Sequence, residues 1–283
     1  MSNELFCCTL SVRLKPDALQ NDDRPLPRWW GRAVQAWFLS VVRDADPVLA
    51  EELHAENRLH PYTVSSLIGL KKDEPFNSEK PLQLRLSSLN PSLSEILIRA
   101  LKPGGVFDIG KECMIDYLPF VIEKPEKSRA PIPSPSSVSF ADLIGRGLQM
   151  AENGVFDLRF VSPTLFSSEG KTQPVPLPGL VFHSLTDRWN AFSPITFPEE
   201  LVRYSQECLA ISGFQVESVP VQLKEDALRI GAVGRMRYRA LNHDRYWVSM
   251  LHALAQIAPF SGVGSGTGFG LGQCRIPEKK KVS

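Results

Sequence analysis

The sequence predicts an α+β protein made of two tandem ferredoxin-like domains, each a β-α-β-β-α-β unit. Three observations lead there. The 283 residues correspond to roughly two domains at about 150 residues each. A proline- and serine-rich stretch without periodicity, Lys124–Ser137 (KPEKSRAPIPSPSS), divides the chain near its middle. On both sides of it, segments of period 2 and period 3.6 follow in the same order. Residues 1–137 and 138–283 are therefore expected to form the two domains.

Leu5–Leu14 carries Phe6, Thr9, Leu10 and Val12 and is expected as a strand. From Arg28 a helix is expected, because Trp30, Ala33, Val34, Trp37, Phe38 and Val41 fall on one stripe. Arg28, Arg32, Gln35 and Arg43 occupy its other side. Asp46 caps a second helix that has Pro47 in its first position and Leu49, Ala50 and Leu53 on its buried side; it is expected to run to Asn57. Tyr62–Ile68 and Leu82–Leu89 are the next strands. Asn90 caps a helix from Pro91 to about Ala100, and Gly104–Gly105 breaks the chain before a short strand, Val106–Ile109.

In the second half, Phe156–Val161 is strand-like, Ser167–Pro178 is an expected long loop, and Gly179–Trp189 is helical. Cys208–Leu223 and Leu228–Leu241 read as long strands. Asp244–Ala258 is a helix with Trp247, Met250, Leu251, Leu254 and Ile257 as its apolar stripe, and Phe269–Ile276 closes the unit as a strand.

Composition narrows the function. Hydrophobic residues make up 43% of the chain, enough for two cores. With 32 basic and 31 acidic side chains, polyanion binding by bulk charge is excluded, and any nucleic-acid site must be local. There is no run of 18 apolar residues, so no membrane span and no membrane partner are expected. Met1–Leu10 holds Glu4 and no basic region, which does not fit a signal peptide. The five cysteines (Cys7, Cys8, Cys113, Cys208, Cys274) form no C-x-x-C pair, consistent with a reduced, cytoplasmic protein without a zinc ribbon.

Two features carry chemistry. Ser261–Gln273 reads SGVGSGTGFGLGQ, with Gly262, Gly264, Gly266, Gly268, Gly270 and Gly272 all at even positions. A G-x-G-x-x-G fingerprint needs two glycines three apart, so none can be drawn here, and no lysine follows to make a P-loop. Such a run can bring backbone close to a ligand and turn N–H groups toward phosphate. A plain flexible connection is the competing reading, but ordering each glycine costs about 0.5–1 kcal/mol relative to alanine, which favours a binding loop. Beside it lies RMRYR. On a strand, Arg235, Arg237 and Arg239 share one face, with Met236 and Tyr238 turned inward. Between Ala227 and Ile276 six arginines meet one acid, Asp244. A solvated sheet face would explain the arginines alone. Arginine face and glycine loop together fit a phosphate backbone. No aromatic RNP-type motif is present, so base stacking is not expected.

These residues resemble a family. PFSGVGSGTGFGLGQCRI, directly after an apolar helix, resembles the hallmark loop of the RAMP superfamily of CRISPR-associated proteins. LHAENRLHPYTVSSLIG (Leu53–Gly69), VSPTLF (Val161–Phe166) and PGLVFHSLTDRWNAFSP (Pro178–Pro194) resemble segments of its pre-crRNA-processing endoribonucleases, the sixth Cas family. The resemblance runs from about residue 5 to 277. It implies cutting of CRISPR repeat RNA within the pre-crRNA, without metal or other cofactor. The ribose 2′-hydroxyl would attack the phosphorus to leave a 2′,3′-cyclic phosphate and a 5′-hydroxyl. It also admits CRISPR effector subunits and a second copy of the chain as partners. A non-catalytic RNA-binding RAMP subunit is the alternative it leaves open.

That reaction needs a base, an acid and a cation for the phosphate oxygens. By resemblance, His54 matches the family's catalytic histidine, and as an edge residue of its helix it competes with a solvated surface role. His60, just before Pro61, is a second proton-transfer candidate. The family's helper tyrosine is missing from the first helix, and Lys71 and Lys72 come only after the strand, so Arg32 or Arg58 is expected to stabilise charge. Tyr62 is expected in the core. His183 and His252 are expected as packing residues, and His243 as a neighbour of a helix cap. His54, Glu56 and His60 lack the spacing of a helical metal pair.

Overall fold

The computed structural model describes residues 4–19, 26–27, 29–54, 59–70, 80–124, 135–168, 170–223 and 228–277. The expected Arg28, Arg58, Lys71 and Lys72 lie outside these residues, as does the linker from 125 to 134.

The first domain is built on β1 (Leu5–Leu14), α1 (Gly31–Ala45), α2 (Pro47–His54), β2 (Tyr62–Val64), β3 (Leu82–Ser88), α3 (Pro91–Ala100), and the hairpin β4 (Glu112–Ile115) and β5 (Leu118–Glu123). Its sheet order is β2-β3-β1-β5-β4, antiparallel at each of these pairings. Taking β5 as the fourth strand, β1, β2, β3 and β5 lie in the 2-3-1-4 order of a ferredoxin-like unit. The second domain has β7 (Val155–Thr164), α5 (Pro178–Phe192), α6 (Glu200–Cys208), β10 (Leu209–Gln222), β11 (Leu228–Ala240), α7 (Arg245–Ser261) and β12 (Cys274–Arg275). Its sheet order, β10-β11-β7-β12, is the same 2-3-1-4 arrangement. Both domains are thus the α+β ferredoxin-like units that the alternating periods predict.

The helices form for local reasons. Asn90 accepts the Leu93 N–H at 3.0 Å and Pro91 opens α3, while the Asp46 carboxylate accepts the Leu49 N–H at 3.0 Å in α2. On α1, Trp30, Val34, Trp37, Phe38 and Val42 are buried, whereas Ala33 and Val41 are only half-buried. The stripe therefore slopes across the helix.

Several expectations are corrected. Val106–Ile109 is a run of turns: Val106 and Ile109 are exposed, and Gly104 and Gly110 sit at positive φ. The fourth strand is β5, whose Leu118, Phe120 and Ile122 alternate into the core. Ser136–Val138, overlapping the end of the expected linker, forms β6 and pairs with Leu5–Cys7. Ser139 then makes a capping box with Asp142 and starts α4 (Phe140–Gln149), a helix outside the predicted set. Two further short strands, β8 (Phe166–Ser168) and β9 (Lys171–Gln173), stand in the expected loop Ser167–Pro178. The short α6 is also absent from the predicted set, because only Leu201, Tyr204 and Ser205 mark its buried side. Tyr62–Ile68 is a strand only to Val64, although Ile68 still bridges to Gln83 of β3, and Phe269–Ile276 is a strand only at Cys274–Arg275; Ser65 and Gly270 bridge to each other across the domain contact.

One core comprises residues from Phe6 to Ile122. The other runs from Val138 to Cys274 and also takes Leu5, Cys7 and Leu89 from the back of the first sheet. The end of α7 packs against that back face. Arg85 of β3 is buried and donates to the Pro259 carbonyl at 2.7 Å, and the Ser87 hydroxyl donates to Phe260 O at 2.5 Å. This fixes the glycine-rich loop, which follows α7, against the first domain. No described helix is long and apolar enough to cross a membrane.

Candidate RNA site at the domain seam

The glycine-rich loop is mostly buried. Its glycines meet the protein's own atoms: a Cβ on Gly264 would lie 2.3 Å from Leu165 O, on Gly272 2.1 Å from Val263 O, and on Gly270 2.8 Å from Ser66 N. Much of its hydrogen-bonding capacity is also spent internally. The N–H groups of Gly262, Gly264 and Gly272 donate to Ala258 O, the Ser184 hydroxyl and Pro163 O, at 2.9, 2.8 and 3.0 Å. The expected cradle of amides facing phosphate is therefore not found at those three positions. Here glycine permits backbone-to-backbone packing. Gly262 and Gly266 adopt φ values of 66° and 76°, in the region where a side chain is strained.

Arg188 of α5 holds the loop from beneath. It is buried and donates to Ser261 O at 3.2 Å and Gly264 O at 2.6 Å, and to the Thr267 hydroxyl at 3.3 Å. Burial lowers its pKa to about 10, so it stays charged at neutral pH.

The tip of the loop reaches α1 and β2. Trp29 Nε1 donates to Phe269 O at 2.7 Å, and Gln273 Nε2 donates to Val64 O at 3.2 Å. The exposed Arg32 lies with its guanidinium carbon 5.1 Å from the centre of the Phe269 ring. A Cβ on Gly268 would come within 3.1 Å of the His60 ring and 3.5 Å of Gln35 Nε2.

The two histidines lie within electrostatic reach of each other. His54 is exposed and ends α2. His60 is half-buried, and its ring stacks on Tyr62 with centroids 5.1 Å apart. Burial is the main cause that lowers the His60 pKa, and the charge of His54 lowers it further. A hydrogen bond to Leu53 O acts the other way, and the Arg188 charge adds a smaller lowering. His60 is thus neutral at pH 7 and within electrostatic reach of His54. The Tyr62 ring is fully buried and its hydroxyl accepts from Gln35 Nε2 at 2.9 Å, in keeping with its expected core role.

Arg235, Arg237 and Arg239 are exposed on one face of β11, while Met236 and Tyr238 point into the core. Cross-strand register adds Arg159 beside Arg235, and Arg275 beside Arg159. One acid interrupts the row. Asp157 accepts from Arg235 Nε at 2.7 Å and Nη2 at 2.5 Å, and from Arg237 Nη2 at 3.1 Å. Its burial raises the carboxyl pKa, but the hydrogen bonds from both arginines outweigh that and hold it below the ordinary range.

The other histidines divide. His252 is buried, against Phe156 and Asn153 O, as expected. His183 is a correction: it is exposed on α5 and pairs with Asp187 at 3.5 Å, because the buried stripe of that helix runs through Val181, Phe182 and Leu185. His243 Nε2 lies 3.0 Å from Ala151 O, just before the Asp244 cap. Among the described residues no three His, Cys, Asp or Glu side chains converge as a metal-binding group.

Sequence reasoning missed Phe269, Trp29, Arg188, Asp157 and Arg159. Each acts through a partner distant in the chain. Only Asp157 and Arg159 carry a local sign, because alternation from Leu158 puts them on the outer face.

Residues 158–274 match the family model for the CRISPR-associated endoribonuclease Cas6. Curated Cas6 endoribonucleases of two Mycobacterium tuberculosis strains are 29% identical over 127 residues, which is 44% of this chain and 40% of theirs. The match thus spans less than half the length of those relatives. Among solved structures, a Cas6 product complex is 24% identical with a TM-score of 0.72, covering 97% of this chain and 99% of that one. Thermus thermophilus Cas6 is 23% identical with a TM-score of 0.66, over 96% and 97% of the two chains. A RAMP protein described as binding different RNA substrates is 16% identical with a TM-score of 0.55, over 96% of this chain and all of that one. The structural likenesses show a shared fold over nearly the whole length of this chain. The family signature lies in its second domain, in line with the resemblance read from the sequence.

Proposed function

We propose that this chain is an endoribonuclease that cuts CRISPR repeat RNA within a pre-crRNA by metal-independent transesterification. The observation that carries the reading is that His60 and Arg32 both lie against the second-domain loop, at Gly268 and Phe269, with His54 within electrostatic reach of His60. Each group comes from a different stretch of the first domain, on a surface open to a polymer.

In this mechanism neutral His60 accepts the proton of the 2′-hydroxyl, which attacks the adjacent phosphorus. The bond from phosphorus to the 5′ oxygen breaks as His54 delivers a proton to that oxygen. The products are a 2′,3′-cyclic phosphate and a 5′-hydroxyl. Arg32 faces the non-bridging oxygens, where negative charge grows in the transition state. The arginine face of the second sheet, Arg235, Arg237 and Arg239 with Arg159, holds the flanking backbone through phosphates.

The test is an incubation with labelled repeat RNA in excess EDTA, for wild type and His54→Ala. Loss of a correctly placed acid or base costs about 10²–10⁴ in rate. A single cut ending in a cyclic phosphate, slowed by that factor in the variant with unchanged RNA affinity, is the expected result. Tight binding by wild type with no cut would replace this reading by the RNA-binding RAMP subunit. Unimpaired cutting by the variant would remove His54 from the mechanism.

A further inference from the structure

We propose that Phe269, a residue of the glycine-rich loop in the second domain, is the positioning residue for Arg32 in the first, so that RNA cutting depends on how the loop is seated. This rests on the reading of Arg32 above.

Phe269 is gripped from several directions. Its carbonyl accepts from Trp29 Nε1 at 2.7 Å. Gly31, one residue before Arg32, lies so close that a Cβ there would stand 1.7 Å from the same oxygen. On its own side of the seam, the ring lies over Gly266, where a Cβ would come within 2.7 Å of the ring tip. The φ of 76° at Gly266 and the missing side chain leave room for the ring there. Leu165, Val221 and Leu271 form a small apolar cluster against which Trp29 and Phe269 pack, separate from both main cores. Backbone and ring of Phe269 are therefore both fixed by contacts that do not involve the Arg32 side chain.

Arg32 is the opposite. It is exposed, on a side of α1 away from the buried stripe. Its guanidinium meets the Phe269 ring, 5.1 Å from the ring centre. A free arginine samples many rotamers, and ordering one for a phosphate costs entropy at the moment of reaction. Stacking on a fixed aromatic face restricts the guanidinium beforehand and leaves its N–H edge available, which a lysine cannot reproduce. The ring contributes no chemistry of its own. It acts through Arg32.

The experiment measures single-turnover cutting and, separately, affinity for a repeat RNA with a 2′-deoxy sugar at the cut. It compares wild type, Phe269→Leu, Phe269→Tyr, Arg32→Lys, Arg32→Ala and the double variant Phe269→Leu/Arg32→Ala. Phe269→Leu is expected to slow cutting by roughly 2- to 30-fold, the range of a cation–π contact, with affinity for the deoxy RNA unchanged. Phe269→Tyr restores the rate. Arg32→Lys, exposed and safe for folding, loses at least as much as Phe269→Leu. The double variant is no slower than Arg32→Ala, since the ring has nothing left to position. Additive losses, or full-rate cutting by Phe269→Leu, would overturn the proposal. So would an Arg32→Lys protein that cuts like wild type, should Phe269→Leu fail to fold. If wild type itself cuts no repeat RNA, the nuclease reading fails and this proposal falls with it, an outcome distinct from the others.

Discussion

Asp157→Asn should strengthen RNA binding. The carboxylate sits among arginines on the outer face of the second sheet and holds Arg235 in a two-pronged pair at 2.7 and 2.5 Å, with Arg237 at 3.1 Å. The arginines keep it ionised well below neutral pH. It therefore offsets one positive charge and occupies the N–H edges of two arginines that phosphates would use. Asparagine keeps the shape and removes the charge. One added phosphate contact steepens the slope of log K against log salt by about 0.7 for single-stranded RNA and about 0.9 for a duplex. Lowering salt fourfold, from about 200 to 50 mM, should then favour the variant by roughly threefold more than wild type. The folded state should barely change, because exposed ion pairs are worth about 0–1 kcal/mol. Filter binding of labelled repeat RNA across a salt series, with a denaturant melt beside it, measures both. The contrary result is clear: if affinity falls and the slope becomes shallower, Asp157 orients the arginines for RNA and does not mask them.

Two further expectations concern the seam. His60 should titrate below the ordinary histidine value near 6.5, since burial and then His54 lower its pKa. The folded state then binds fewer protons than the unfolded state, so this group's contribution to stability is present above about pH 6.5 and is lost as pH falls through the interval below it. An NMR titration checks this, and in His54→Ala the value should rise partway but stay lowered, because burial is the larger cause; a value at or above 6.5 in wild type would refute it. Arg188→Ala should destabilise the protein by about 3 kcal/mol or more, since the carbonyls of Ser261 and Gly264 lose their buried donor at about 1–3 kcal/mol for each unsatisfied group. A urea melt decides it, and a loss under about 1 kcal/mol would mean the loop re-pairs without the arginine.

Local physics settles a large part of this protein. Alternation and helical periodicity are properties of a few neighbouring side chains. For that reason β1, α3, the long strands β10 and β11, and the outward direction of Arg235, Arg237 and Arg239 are legible in the residue order alone. Caps are equally local, as Asn90 and Asp46 show. Tertiary structure decides what the glycine-rich loop is for. Its composition suits a phosphate cradle and tight internal packing equally well. The choice depends on atoms far away in the chain, such as Trp29 and Gly31 against Phe269, or Leu165 against Gly264. The same holds for the site. His60 and Arg32 meet neighbouring residues of one loop, Gly268 and Phe269, only because α7 packs its end on the back of the first sheet and carries that loop there. No short-range pattern records where two sheets meet, since that contact is set by the shapes of finished domains rather than by the spacing of residues along either one.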